Sequence, residues 1–401
     1  MINKIYTYRS PGYRADYNQA IEAQLTFWVP EDACVLYLWQ NDRTVVIGRN
    51  QNAYEEVRVP ALEAEGGFLA RRLSGGGAVY HDLQNLNFTF CVRDQNYDLE
   101  KQLSVIIQAV SKFGLKANFS GRNDILLDGR KFSGNAFYHS GNYRYHHGTL
   151  LINVNAEAMA SYLSPPPAKL ASKGVKSVRS RVVNLKSLVP DLTPDRLAVA
   201  MEEAFAEVYG LSPQKLELAD FGAAAMQEMQ AEAGSEAAQL ANPGAGDWHF
   251  APDTSFAEWL RLFSDPAWRL GRQAAAQLEA SKRFDWGFVQ AFISLDGDKI
   301  QDATLFSDAM DGDFIALVNQ TLPGLRLRKE EMAEAFTEVS KAKNVCDRNA
   351  PSNQKPGRTL NELSKATAEC DRSQAEKAKK EQSELNAAML HDLVAFLSEL
   401  I

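Results

Sequence analysis

This 401-residue chain contains no long apolar run of the kind that crosses a bilayer, so no membrane-spanning helix is expected. The opening Met1-Ile-Asn-Lys-Ile-Tyr6 alternates like a strand and lacks a basic-then-apolar targeting pattern, which points to a soluble, cytoplasmic protein. Cysteine is scarce. Cys34, Cys91, Cys346 and Cys370 show no close pairing, which excludes a disulfide framework or a zinc ribbon and suits a reducing compartment. Positive charge is in deficit: Lys and Arg number 43 against 51 Asp and Glu, a net charge of −8, whereas a bulk nucleic-acid binder needs a phosphate-neutralising excess. No P-loop pattern occurs. Residues 337–395 hold no Phe, Trp or Tyr, and about 340–385 mixes Lys, Glu, Ser, Asn and Gln around Pro351 and Pro356. Such a composition buries too little surface to offset ordering, so disorder or a solvated helix is expected there.

What is present argues for two globular domains. The length exceeds that at which one core keeps growing, and 45% of the residues are hydrophobic. Val35–Trp39 and Thr44–Ile47 read as strands, as does Leu86–Val92 with Phe88, Phe90 and Val92 on one face. Leu99, Leu103, Ile106, Val110 and Phe113 keep helical spacing up to Gly114, and Thr193-Pro194-Asp195 opens a helix that stops at Gly210. The class is α+β, with hairpins and with helices on one sheet face. Residues 222–246, alanine-rich and closing on Asn242-Pro-Gly-Ala-Gly246, read as a short helix and a linker. The expected division is therefore 1–246 and 247–401, with the flexible insert at about 340–385 and a docked helix over Met389–Ile401.

Two segments carry chemistry. Ala70-Arg-Arg-Leu-Ser-Gly-Gly-Gly-Ala-Val-Tyr-His-Asp82 sets three glycines, whose N–H groups can approach a ligand, beside two arginines that can meet negative charge. A tight turn with solvated arginines is the competing reading. In Gly121-Arg-Asn-Asp-Ile-Leu-Leu-Asp-Gly-Arg-Lys-Phe-Ser-Gly-Asn-Ala136, Asp128-Gly129 signals a two-residue hairpin, placing Lys131 on a rigid strand. On the residues alone, a lysine at this position is more often an exposed edge lysine.

Together with His146-His-Gly-Thr-Leu-Leu151 and Lys169-Leu-Ala-Ser-Lys-Gly-Val-Lys-Ser-Val-Arg-Ser-Arg-Val-Val-Asn184, these blocks closely resemble the lipoate-protein ligase family. The likeness is strong to about residue 210. It is looser over 255–336, where Trp268-Arg-Leu-Gly271 and Arg283-Phe-Asp-Trp-Gly287 are similar to the small accessory domain of the long bacterial ligases. The resemblance implies a biotin/lipoate ligase-like catalytic domain of mixed sheets with flanking helices, plus a small α+β C-terminal domain. It implies ATP-dependent activation of lipoate to lipoyl-AMP and transfer to an acceptor lysine, with Mg²⁺ as cofactor. Lipoyl domains of 2-oxoacid dehydrogenase complexes and the glycine cleavage H protein are the implied partners, with no nucleic acid or membrane involved.

A free carboxylate is a poor electrophile because its leaving group would be oxide, so ATP must first convert it to an anhydride. Charge then builds on the α-phosphate and acyl oxygen, and the useful groups are fixed donors aimed at both. By resemblance, Lys131 would bridge those oxygens. Arg72 and the backbone of Gly75, Gly76, Gly77, Ala78, Val79 and Tyr80 would hold acid and nucleotide. Asn123 and Asp124 would hold phosphate or Mg²⁺. Ser74, Asn85, Ser133, Gly134, His147 and Gly148 would add ATP or lipoate contacts, and Lys173, Gly174, Val175, Ser177, Val178 and Arg181 would form the adenylate loop.

His146 and His147, adjacent on a strand, point to opposite faces and are expected to pack and hydrogen-bond rather than share a metal. Gln84 stands where the family usually has Gly, so the turn after Asp82 must be made differently or be strained. Gln273-Ala-Ala-Ala276 replaces a common Pro-x-Phe. An acyl-carrier-dependent octanoyl or lipoyl transferase would need a cysteine thioester, and neither Cys34 nor Cys91 lies beside Lys131 in sequence. A non-catalytic regulator is the third class, although nothing resembles an appended helix-turn-helix.

Overall fold

The computed structural model describes residues 1–120, 123–164, 182–221, 252–274, 276–346 and 384–400, leaving out the side chains of 338–346. The chain forms two compact units, Met1–Gln273 with Asp308–Gly312, and Ala274–Ser307 with Asp313–Ile401. Strands β1 (Lys4–Arg9), β2 (Ala33–Trp39), β3 (Thr44–Ile47), β4 (Phe68–Arg71), β5 (Val79–His81), β6 (Asn85–Arg93), β7 (Asn118–Ser120), β8 (Asp124–Leu127), β9 (Arg130–Ser140), β10 (Tyr143–Leu151) and β11 (Gln214–Lys215) build the first unit. They make an eight-stranded sheet in the order β11-β1-β2-β6-β10-β9-β8-β7 and a three-stranded sheet in the order β4-β3-β5.

The first-unit helices are α1 (Ala15–Trp28), α2 (Ala53–Glu56), α3 (Val59–Ala64), α4 (Leu99–Ser111), α5 (Ala156–Tyr162), α6 (Pro194–Tyr209), α7 (Phe256–Ser264) and α8 (Pro266–Leu270). Every residue of β2 is buried because both faces of the large sheet are covered. On one side Leu36, Leu38, Phe88, Phe90 and Val92 pack with Val105 and Ile106 of α4 and Met201 and Phe205 of α6. On the other, Val35, Tyr37, Trp39 and Tyr145 pack with Ile21 and Leu25 of α1 and with Phe256, Trp259 and Phe263 of α7. The expectation of helices on one face is corrected: alternation along β2 and β6 buries apolar residues on both. Thr193 caps α6 through its side chain, Pro194 opens it and Gly210 closes it in the left-handed region, as expected.

The two compact units divide elsewhere than at residue 246. Helices α7 and α8 belong to the first unit, where the ring of Trp259 stacks on Phe27 of α1 with centroids 5.5 Å apart. A fragment ending near Ala245 would therefore lose part of the first core rather than keep it. The second unit holds β12 (Leu278–Arg283), β13 (Phe288–Asp296) and β14 (Lys299–Ser307) as an antiparallel meander, with α9 (Gly312–Thr321), α10 (Lys329–Cys346) and α11 (384–398). The terminal helix docks as expected: Phe396 meets Phe284 at 5.9 Å and the Trp286 indole N–H donates to Asp392 at 2.9 Å. The helix-and-linker reading of 222–246 and most of that for 340–385 lie outside the described residues.

Candidate active site

The hairpin between β8 and β9 turns on Asp128 (φ 48°) and Gly129 (φ 74°), both in the left-handed region that a two-residue hairpin requires. The pairing is regular at Leu126–Lys131, then slips, so that Ile125 faces Ser133 and Asp124 faces Gly134. That bulge matters. Strict alternation would send residues 131 and 134 to opposite faces, whereas the slip brings the Lys131 side chain over Gly134. A Cβ on Gly134 would stand 2.5 Å from the Lys131 ammonium. The ammonium lies 2.7 Å from Asp124 Oδ1, with the two side chains 30% and 38% exposed. Val183, which follows the expected adenylate loop, donates its N–H to the Lys131 carbonyl at 2.8 Å. The loop residues Lys173, Gly174, Val175, Ser177, Val178 and Arg181 themselves lie outside the described residues.

The glycine loop differs from expectation in two ways. First, Arg71 and Arg72 are buried and do not present charge at its entrance. Arg71 donates to the carbonyls of Trp268, Gly48, Arg49, Gln51 and Leu270, and Arg72 donates to Ser74 Oγ and the carbonyls of Val46, Gly75 and Gly77. Burial pushes both guanidinium pKa values down to about 10, which still leaves them charged at neutral pH. In this structure Arg72 braces the loop, its donors serving Ser74 Oγ and the loop carbonyls. Second, the Gly76 N–H is not bare. It donates at 2.9 Å to the carbonyl of Ala309, part of the Asp308–Gly312 segment, while Gly76 itself takes φ 90°. A Cβ on Gly75 would stand 2.2 Å from that carbonyl oxygen. A Cβ on Gly76 would lie 3.4 Å from Met310 Sδ and 4.0 Å from Ala136 Cβ on β9, so the loop runs along the strand that carries Lys131.

The remaining predicted residues fall into three groups. Tyr80 is buried in one small core with Ala78 packed against it, and Val79 packs against a separate one, Ala78 and Val79 being only partly buried. Ser74 and His147 are joined: Ser74 Oγ lies 2.9 Å from His147 Nε2, and His147 Nδ1 lies 2.8 Å from Glu22 Oε1. Glu22 also accepts from Thr89 at 2.6 Å. On this α1-facing side of the large sheet, His81 Nε2, Asn85 Oδ1, Asn87 Nδ2 and both amide atoms of Gln19 are buried without a partner among the described residues. Buried polar atoms are seldom left bare, so these atoms suit ordered water or a polar ligand group. Ser133 Oγ, on β9, is also buried without a partner among the described residues. His146 and His147 point to opposite faces and hydrogen-bond, as expected.

Around Asp124, no group of three or more His, Cys, Asp or Glu side chains that could cage a metal ion occurs among the described residues. A single carboxylate next to phosphate oxygens is the donor set that suits Mg²⁺, which keeps its waters and demands few protein ligands, so Asp124 fits it. The turn at Gln84 is unstrained. The Asp82 side chain accepts from Gln84 N at 2.9 Å and its carbonyl accepts from Asn85 N at 3.0 Å, with no positive φ at Gln84. Sequence reasoning missed Glu22 and the Asp308–Gly312 segment. Asn18, Glu22 and Thr26, a polar stripe at four-residue spacing on a buried helix, was the available signal for the first. No pattern marked the second.

A family model for the lipoyl protein ligase A/B catalytic domain matches residues 14–206, and one for the bacterial lipoate protein ligase C-terminus matches residues 273–351. A lipoate-protein ligase A from Psychrobacter cryohalolentis is 36% identical over 326 residues, covering 81% of this chain and 90% of that relative. The P. falciparum protein LipL1, solved in complex with lipoate, shares the fold with a TM-score of 0.67 at 24% identity, over 86% of this chain and 100% of that one. An archaeal bipartite lipoate protein ligase from Thermoplasma acidophilum, solved with its E2 lipoyl domain, gives a TM-score of 0.52 at 22% identity, over 69% of this chain and 100% of that one. By the extent and identity of its match to the curated relative, this chain belongs to the lipoate-protein ligase A family.

Proposed function

We propose that Lys131 is the catalytic cation of an ATP-dependent lipoate-protein ligase, and the observation that carries the assignment is its geometry. A rigid, bulge-aimed ammonium with one displaceable carboxylate partner lies on the strand that the glycine loop follows. The lipoate carboxylate oxygen attacks the α-phosphorus of ATP, forming the acyl-phosphate bond as pyrophosphate leaves. Lys131 leaves Asp124 to face the acyl oxygen and α-phosphate, where a fixed cation stabilises the charge that develops. Asp124 and Asn123 turn to the phosphates and Mg²⁺, which when bound neutralises phosphate charge. An acceptor lysine then attacks the acyl carbon, forming the amide and releasing AMP.

The acceptors we infer are lipoyl domains of 2-oxoacid dehydrogenase complexes and the glycine cleavage H protein. The cytoplasm is the site of action, in keeping with the free, buried thiols of Cys34 and Cys91. The thioester route is not favoured: burial pushes the Cys34 thiol up to about 12 and holds Cys91 well above its ordinary value, so neither supplies a thiolate. Purified protein with lipoate, ATP and Mg²⁺ is expected to release pyrophosphate and accumulate lipoyl-AMP, with a lipoyl mass increment on an added lipoyl domain. Folded protein that releases no pyrophosphate would overturn the reading.

A further inference from the structure

Three blocks that are far apart in sequence meet at one buried imidazole. His146 lies among the rings of Phe88, Phe90 and Phe137, with centroids 5.4, 5.9 and 5.1 Å away. Its Nδ1 is 3.1 Å from Oε1 of Gln102 on α4, and its Nε2 is 2.8 Å from Asn135 Oδ1 on β9. Asn135 in turn grips Asn123: its side-chain and backbone N–H groups donate to the Asn123 carbonyl at 3.0 and 2.8 Å. Asn123 Nδ2 returns a bond to the Asn135 carbonyl at 3.3 Å. Gly148 leaves the room this requires, since a Cβ there would stand 2.9 Å from Asn135 Oδ1 and 2.7 Å from the Gly134 carbonyl.

The protons follow from this arrangement. Burial holds the His146 pKa down to about 3, so the ring is neutral and carries a single N–H. The Asn123 carbonyl can only accept, so Asn135 must turn its NH₂ toward it and its oxygen toward His146. The proton therefore sits on Nε2 and donates to Asn135. Nδ1 is left as an acceptor, and Gln102 satisfies it by turning its NH₂ inward. That turn exchanges the two amide atoms of Gln102: Nε2, without a partner among the described residues in the other orientation, gains one, and Oε1 gives one up.

We propose that His146 is a positioning residue for the nucleotide end of the site: through Asn135 it fixes Asn123 and, next along the chain, Asp124. The inference rests on the ligase reading, in which Asn123 and Asp124 face phosphate and Mg²⁺. A histidine that merely fills the core would leave nucleotide affinity untouched. Two readouts on the full chain separate the cases. Long-range ¹⁵N NMR of the wild type is expected to show neutral His146 protonated at Nε2 from pH 5 to 8; the Nδ1–H tautomer or an imidazolium would overturn the proposal.

In the second, H146F keeps the aromatic packing and removes the relay, so KM for MgATP in lipoyl-AMP formation is expected to rise about tenfold or more. Lipoate affinity by calorimetry is expected to stay within about twofold, and H146Q, which can still donate to Asn135, to recover most of the loss. An unchanged KM for MgATP in folded H146F overturns the proposal, whereas wild type that forms no lipoyl-AMP overturns the ligase reading instead. If H146F fails to melt cooperatively, Q102L decides: a rise in its KM for MgATP supports the relay and an unchanged one overturns it.

Discussion

The glycine loop and the β8–β9 hairpin both carry cations in sequence, yet they use them in opposite ways. Arg71 and Arg72 are buried, and their guanidinium groups hold nine backbone or hydroxyl acceptors' worth of bracing around residues 46–51, 74–77 and 268–270. Lys131 is part-exposed and pairs with Asp124. A guanidinium whose fork is fully engaged with carbonyls cannot turn to a ligand without breaking the loop it shapes. An ammonium held by one half-exposed carboxylate can, because such a pair is worth only about 0–1 kcal/mol. The charge that builds the site and the charge that acts in it are thus distinguished by what each donor already holds.

The largest expected effect follows directly. Lys131→Ala should reduce lipoyl-AMP formation by about two to four orders of magnitude, the scale of removing a preorganised charge donor. Its melting temperature should move little, since only a surface-type ion pair is lost. Pyrophosphate release by stopped assay and a thermal melt on the same sample test both halves, and normal release would remove Lys131 from the mechanism. Arg72→Met should show the reverse pattern. It leaves the carbonyls of Val46, Gly75 and Gly77 without their buried donor, a loss of about 3 kcal/mol or more in stability. Denaturant unfolding with an unchanged midpoint would show that Arg72 does not brace the loop.

Much of this was legible in the residues. Asp128-Gly129, Thr193-Pro194 and the alternation of Phe88, Phe90 and Val92 encode local geometry, and local geometry is what short patterns report. What escaped was tertiary. Nothing in Arg71-Arg72 says that their partners are carbonyls, because those partners come from three other segments. The placement of α7 on α1 depends on the shape of the Trp259–Phe27 stack, not on the Pro-Gly run that precedes it. The slip that aims Lys131 is a single-residue register event, invisible to periodicity.

A smaller effect sharpens the contrast within the hairpin. Gly134→Ala places a methyl group where the Lys131 ammonium passes, at 2.5 Å, and a flexible terminus can move aside. The fold should therefore be nearly unchanged while the cation is displaced, costing about tenfold in adenylate formation through lost positioning. A variant with wild-type turnover would show that the ammonium has no fixed path over Gly134.

The smallest effect vanishes at neutral pH and concerns a third way of meeting burial. His81 and His146 share the first unit with the two arginines, but instead of bracing carbonyls as cations they give up the proton. Burial lowers both to about 3, with Arg72 and then His147 adding to the effect at His81, and His147 adding to it at His146. Well above pH 6.5 the folded and unfolded chains bind no proton at these rings, so stability has no slope from them. Between about 6.5 and 3 the unfolded chain takes up a proton that the folded chain refuses, and stability falls as pH falls. Each ring contributes a slope approaching about 1.4 kcal/mol per pH unit inside that window. Arg71 and Arg72, lowered only to about 10, contribute none there. H146F should therefore lose one ring's share of the acid slope between pH 6 and 4, whatever its offset in absolute stability. Urea unfolding across that range tests it; parallel stability curves for wild type and H146F would mean that the imidazole is charged in its aromatic cage, contrary to the hydrogen-bond pattern around it.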